Sequence, residues 1–116
     1  MRPWCSLGVM LLALACSRPT PELKDFDAAA WKADRQGCTG QREAQLASLL
    51  QQREQLKALT ELQIVEVLGR PNRNELYKRN QKFFRYHVRG CLAATPSRQL
   101  TIRFNAMGRA KEVAAE

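Results

Sequence analysis

The apolar positions of this chain change period part-way along it, and the change separates a helical part from a sheet. Gln41–Leu59 places Leu46, Leu49, Leu50, Leu56 and Leu59 at helical spacing, interrupted at Arg53. That stripe predicts one long helix of roughly 28 Å. Thr60–Pro71 (TELQIVEVLGRP) predicts a second, short helix with both ends written into it. Thr60 and Gln63 form a capping box, and Leu59 and Ile64 a hydrophobic staple. Gly69 suits the left-handed position past the last turn, and Pro71 blocks continuation. Ile64, Val65 and Leu68 give this helix one apolar face, which must be covered because so short a helix does not stand alone in water.

Beyond Pro71 the period is two. Lys82–Arg89 sets Phe84, Tyr86 and Val88 on one face and Arg85, His87 and Arg89 on the other. Gln99–Asn105 repeats the pattern, with Leu100, Ile102 and Phe104 opposed to Thr101 and Arg103. Glu75–Arg79 is a shorter strand candidate followed by a turn at Asn80-Gln81, and Asn105–Gly108 predicts a hairpin turn into a return strand over Arg109–Val113. A sheet with one apolar face needs a lid, and two short-linked helices with a shared apolar side supply it. The expected fold is α+β: a two-layer ααβββ sandwich, two N-terminal helices on an antiparallel sheet of three or four strands. Upstream, Leu23–Gly37 predicts a helical turn capped by Asp25 or Asp27, with Phe26 and Trp31 packed at the domain edge.

The first residues follow a different logic. A short basic start, Met1–Trp4, precedes the apolar run Leu7–Ala15, which is too short to span a bilayer as a permanent helix. Charge, then an apolar run, then small residues is the order of a secretory signal. Ala13-Leu14-Ala15-Cys16 resembles the lipobox of bacterial lipoproteins, which implies cleavage before Cys16 and lipid on that cysteine. An ordinary signal peptide, or a buried apolar N-terminus, is the alternative. The chain then divides into residues 1–15 as signal peptide, 16–36 as lipidated tether and helical turn, and 37–116 as the domain. Ser17–Glu22, with two prolines, reads as the extended part of the tether. Ser17 after the cysteine is compatible with the outer membrane, so the expected address is exported, lipid-anchored there and facing the periplasm.

Export changes what the remaining cysteines mean. Cys5 leaves with the signal and Cys16 becomes the anchor, so Cys38 and Cys91 are left as an even pair in an oxidising compartment. A disulfide between them would close a loop of about fifty residues, worth about 4 kcal/mol in the chain-entropy model; two reduced, buried thiols are the alternative. No CxxC or HxxxH spacing accompanies them, so neither metal nor cofactor is expected.

The formal charge of the whole chain is +8, from 19 basic and 11 acidic residues. It falls by one when Arg2 leaves with the signal. Lys78, Arg79, Lys82, Arg85, Arg89 and Arg103 gather around the central hairpin and, with His87, make a candidate binding surface. Export argues against nucleic acid. The fitting partners are an acidic envelope protein or anionic lipid head groups, and a plain solvated face is the alternative. His87 is the single histidine. It sits among arginines with no oriented carboxylate nearby in sequence, and no catalytic constellation is visible, so the chain reads as non-enzymatic.

Thr60, Gln63, Val67, Leu68, Gly69 and Pro71, then Tyr86, then Leu100, Ile102, Phe104, Asn105, Gly108 and Val113 resemble, in that order, the SmpA/OmlA (BamE-like) domain. The similarity covers about Leu59–Val113, roughly half the chain. Trp31, Asp34, Gly37 and Cys38 (W-x-x-D-x-x-G-C) resemble a segment of small lipoproteins that carry this domain. The resemblance implies an ααβββ fold held at the outer membrane and a non-enzymatic binding module, an accessory in outer-membrane protein assembly or envelope integrity. Related folds include inhibitors, so an inhibitor-like module that docks on a periplasmic enzyme is the alternative.

Overall fold

Alternation over the second half of the chain becomes a four-stranded antiparallel sheet in the simple order β1-β2-β3-β4. The strands are β1 (Arg73–Tyr77), β2 (Gln81–Arg89), β3 (Arg98–Phe104) and β4 (Ala110–Ala115). The computed structural model describes residues 19–77, 79, 81–91 and 96–116; the signal, Cys16 and Lys78 lie outside them. Register sets Phe84 opposite Ile102, Tyr86 opposite Leu100 and Ile102 opposite Val113, and these side chains share the buried face. The first strand is a true edge strand and begins two residues earlier than its sequence pattern suggested. The turn that follows it takes its positive φ at Arg79 (64°).

Three α-helices among the described residues cover that face: α1 (Ala28–Ala33), α2 (Gln41–Gln51) and α3 (Glu61–Leu68). The helix α3 carries its expected ends. Thr60 Oγ1 accepts the Gln63 N–H at 3.2 Å, Gln63 Oε1 accepts the Thr60 N–H at 3.0 Å, and Gly69 has φ 80°. Leu59, Ile64 and Leu68 are fully buried beneath it. The hairpin between β3 and β4 is closed by Asn105, whose Oδ1 accepts the N–H groups of Met107 and Arg109, both at 3.0 Å.

The long helix does not run to Leu59. It stops at Gln51 and gives way to a short 3₁₀ turn, Arg53–Gln55. Tertiary pairing overrides the stripe here. Ala58, at φ 71°, donates its N–H to Ala110 O at 2.8 Å, and the Ala110 N–H returns to Leu59 O at 2.9 Å. The chain thus lies against the start of β4 while Leu56 and Leu59 still reach the core. A continuous helix would have kept those backbone groups for itself.

Trp31 is not at the edge. It is fully buried, as is Tyr86, and the guanidinium of Arg42 packs over both rings, 5.1 Å from the Trp31 ring centroid and 5.7 Å from that of Tyr86. Arg42 is 1% exposed. Its Nε donates to Trp31 O at 2.8 Å, and its Nη1 to Asn72 Oδ1 and His87 O, each at 3.0 Å. The Asp34 carboxylate accepts the N–H groups of Thr39 (2.9 Å) and Arg42 (3.0 Å), so it caps α2, whose own N-cap residue is Gly40. Burial opposes that charge, and the hydrogen bonds from Arg42, Thr39 and Cys38 outweigh it, holding Asp34 below the usual carboxylate value. Burial depresses Arg42 to about 10 against the pull of Asp34.

The approach to this cluster requires Gly37. Its φ is 73°, and a Cβ there would lie 2.7 Å from Val88 O. The N-terminal segment is also fixed more firmly than a tether would be. Leu23 is in the core cluster, and Thr20 Oγ1 donates to Glu66 Oε1 on α3 at 2.8 Å.

Arg42→Ala is expected to cost about 3–5 kcal/mol in urea unfolding, because it removes the donors to the Trp31 and His87 carbonyls and leaves a cavity beside two buried rings. Arg42→Lys should recover little, since an ammonium lacks the planar fork. Removing the more exposed Arg103 should cost under about 1 kcal/mol. A loss at Arg42 as small as that at Arg103 would contradict its central role.

Candidate functional site

The basic residues singled out from the sequence do not form one surface. Lys82 lies opposite Phe104 and Leu76 in register, on the helix-facing side of the sheet. Its Nζ is 2.8 Å from Glu61 Oε1, at the first turn of α3. Arg89 reaches Glu43 on α2. Arg85 and Arg103 do share the outer sheet face, but each is held by a carboxylate. Arg85 Nε binds Glu75 Oε1 at 2.7 Å and its Nη1 binds Thr101 Oγ1 at 3.0 Å, with Glu116 at 3.7 Å. Its guanidinium also lies 5.2 Å from the Phe83 ring centroid. Arg103 Nε binds Glu112 Oε1 at 2.8 Å.

These contacts show in the titration of the pairs. The hydrogen bond to Arg85 holds Glu75 below the usual carboxylate value and raises Arg85 in turn; Arg103 lowers Glu112 likewise. Such pairs add little stability near water. They do cancel the positive field that a docking face for an acidic partner would need.

His87 is half-buried on that outer face, opposite Gln99. Both ring nitrogens and Gln99 Oε1 are buried with no hydrogen-bond partner among the described residues. Burial, followed by the charges of Arg42, Arg35 and Arg73, holds the imidazole below its ordinary value of 6.5. A base needs an oriented acceptor or donor at its second nitrogen, and His87 has neither among the described residues.

Cys38 and Cys91 are free thiols in this structure, and both are exposed rather than buried. They are nevertheless side by side. The Cys38 side chain is hydrogen-bonded to Cys91, and this contact pushes the Cys38 thiol up to about 11. The backbone fixes the approach, since the Cys91 N–H donates to Gln36 O at 3.1 Å. A thiol so reluctant to ionise is a poor nucleophile, and the two thiols stand adjacent and unbridged.

A cluster that sequence reasoning missed lies elsewhere. Packing of α1 on the end of α3 leaves a cleft of about 470 Å³ lined by Lys32, Arg35, Arg42 and Arg70 with Leu68 and Gly69. None of the four cations forms an ion pair within 4.0 Å with a described carboxylate. Lys32 and Arg35 instead serve main-chain oxygens at the end of α3, Lys32 Nζ donating to Glu66 O at 2.7 Å and Arg35 to Arg70 O and Pro71 O. Cations suit the carbonyl end of a helix. Lys32 and Arg35 stand three apart, but Arg70 is distant in sequence and joins them only through tertiary packing. At the other end of α1 a larger groove, about 950 Å³, is acidic, with Glu22, Asp25, Asp27 and Glu66 in its lining. No group of three His, Cys, Asp or Glu among the described residues could hold a metal ion.

Compared with known protein families, curated proteins and solved structures, the chain matches none.

Two measurements follow from these side chains. The unfolded chain takes up a proton at His87 near pH 6.5, whereas the folded chain resists it. Stability is therefore complete above that pH and declines as pH falls. Thermal melts between about pH 8 and about pH 5 should show this decline, and His87→Gln should flatten it. Separately, thiol titration of denatured, oxidised protein from residue 16 with Cys16→Ser should find no reactive cysteine. Two reactive thiols would exclude the bridge.

Proposed function

We propose that this chain is a non-enzymatic, lipid-anchored binding module of the bacterial envelope, exported and held at the outer membrane through Cys16. Its role is that of an accessory in outer-membrane protein assembly or envelope integrity. The lipobox-like Ala13–Cys16 and the SmpA/OmlA-like order of residues support the address and the class. The observation that carries the reading is the shortness of the leash. Thr20 is bonded to Glu66 of α3, and Leu23 is in the core. Only four residue steps separate Cys16 from Thr20, a reach of at most about 14 Å even when fully extended. A lipid on Cys16 would therefore hold the domain against the bilayer rather than far above it, where an accessory of a membrane-embedded machine works.

The edge strand β1 offers such a machine an unpaired strand edge, with Leu76 and Tyr77 exposed beside it. Exposed apolar side chains at an open edge suit a protein partner.

The test is made in intact cells. A photo-crosslinking residue at Leu76 should capture an outer-membrane assembly protein, and deletion of the gene should lower outer-membrane protein levels. Cys16→Ser should abolish lipid labelling and release the protein into the soluble periplasm. Normal outer-membrane protein levels with no such crosslink would overturn the accessory role.

A further inference from the structure

Arg42 joins the segment after α1 to β2 from inside the molecule, through Trp31 O and Arg35 O on one side and His87 O on the other. Cys38 and Cys91 stand where the same two elements meet at the surface. Cys38 follows Gly37, which passes against Val88 O, and its N–H donates to the Asp34 carboxylate. Cys91 lies two residues beyond β2, and its N–H donates to Gln36 O at 3.1 Å. Both thiols are exposed, and the two side chains are hydrogen-bonded to each other. Cys91 has φ 39°, a costly conformation for a residue with a Cβ and one that gathers at active sites and switch regions.

We propose that Cys38 and Cys91 form a reversible redox latch, closed by a disulfide that fastens the segment after α1 to the end of β2 and opened by reduction. The latch goes beyond the accessory role and needs neither the lipid nor the partner. It closes by thiol–disulfide exchange with a disulfide donor, a small molecule or a protein. One cysteine, deprotonated, attacks a sulfur of the donor, and the donor's other sulfur leaves as a thiol. The second cysteine loses its proton and displaces the remaining donor sulfur. Two cysteine thiols are thereby oxidised to one disulfide, and the donor disulfide is reduced to two thiols. The second step is intramolecular between neighbours already in contact. A dithiol reductant runs the same steps backwards.

Reversibility follows from two observations. The helices, the sheet and the bonds of Arg42 are all in place with the thiols unbridged, so the fold does not require the bridge. Both sulfurs are also exposed, and exposed bridges are the ones that exchange readily. What the latch governs is local. With six residues, α1 is too short to stand alone. Trp31 anchors it from below, but its ties at the surface are separate hydrogen bonds, from Asp27 to Gln45, from Lys32 to Glu66 O and from Arg35 to Arg70 O and Pro71 O. Segments held in this way open at a lower free energy than the whole domain. A covalent link from residue 38 to residue 91 removes that freedom beside the helix.

The test uses the chain from residue 16 onward with Cys16→Ser, which keeps every described residue and leaves Cys38 and Cys91 as its only cysteines. The native protein is equilibrated without denaturant in glutathione buffers of rising reduced fraction, and the bridge is read by alkylation and mass. It should close in oxidised glutathione and reopen in the reduced buffers while circular dichroism stays that of the folded protein. Amide hydrogen exchange is then compared between the two forms. The N–H groups of Asp34, Gly37 and Cys91 bond Ala30 O, Asp34 O and Gln36 O. They should exchange at least about tenfold faster in the reduced form, through an opening that dilute urea does not promote. Phe84 and Ile102, paired in the middle of the sheet, should exchange in that form only through the urea-dependent route. Cys38→Ser together with Cys91→Ser should behave as the reduced form in every buffer. A bridge that never closes, or that opens only in denaturant, would overturn the latch. So would equal exchange of the three amides in the two forms, or a urea dependence as steep as that of Phe84 and Ile102, which would mean a global staple. A response of the double serine variant to glutathione would also overturn it, by placing the effect elsewhere.

Discussion

One guanidinium joins four separate parts of this chain. Arg42, in the first turn of α2, donates to the end of α1 at Trp31, to the loop after it at Arg35, to the approach to β1 at Asn72 and to β2 at His87. It packs over two buried aromatic rings. Taking a charge out of water is costly, and the cost is met only when the remaining donors are used. Here Nε and Nη1 are spent on the main-chain oxygens of Trp31, Arg35 and His87 and on the Asn72 side chain, so the cation and the groups around it help to satisfy each other. The same cluster accounts for the spacing of Trp31, Asp34, Gly37 and Cys38. Trp31 supplies a ring, Asp34 caps α2, Gly37 lets the loop pass close to Val88, and Cys38 arrives beside Cys91.

That clasp has a consequence for function. It draws the segment before residue 37 into the core, so the N-terminal strap is part of the domain and not a flexible spacer. With Thr20 bonded to α3, the distance from Cys16 to the folded surface is short. The place of the charges then matters more than their total. On the sheet Arg85 and Arg103 are paired with Glu75, Glu116 and Glu112, whereas Lys32, Arg35 and Arg70, where α1 meets the end of α3, have no described carboxylate within 4.0 Å.

Much of the fold was legible because its signals are local. The capping box, staple and glycine of α3 all lie within a dozen residues, and the alternation of β2 and β3 names the buried face directly. The same alternation places Lys82 with Phe84, so its separation from Arg85 was legible as well. The candidate site was far less so. A row of arginines on paper carries no record of the carboxylates that the neighbouring strands set opposite them. Lys32 and Arg70 reveal nothing together until α1 packs on α3. The two cysteines were legible as a pair, but their exposure was not.

By itself, the sequence determined the class of the fold, the short helix, the strand faces and the hairpin at Asn105, because each depends on neighbours along the chain. Only the tertiary structure decided where the leucine-striped helix ends, that Trp31 and Arg42 are buried together, and which cations stay open. Those outcomes turn on competition between distant partners. The backbone at Ala58 and Leu59 pairs with Ala110 in place of its own helix, and Arg85 meets Glu75 only when β1 lies beside β2. No spacing within one segment encodes which distant group will arrive.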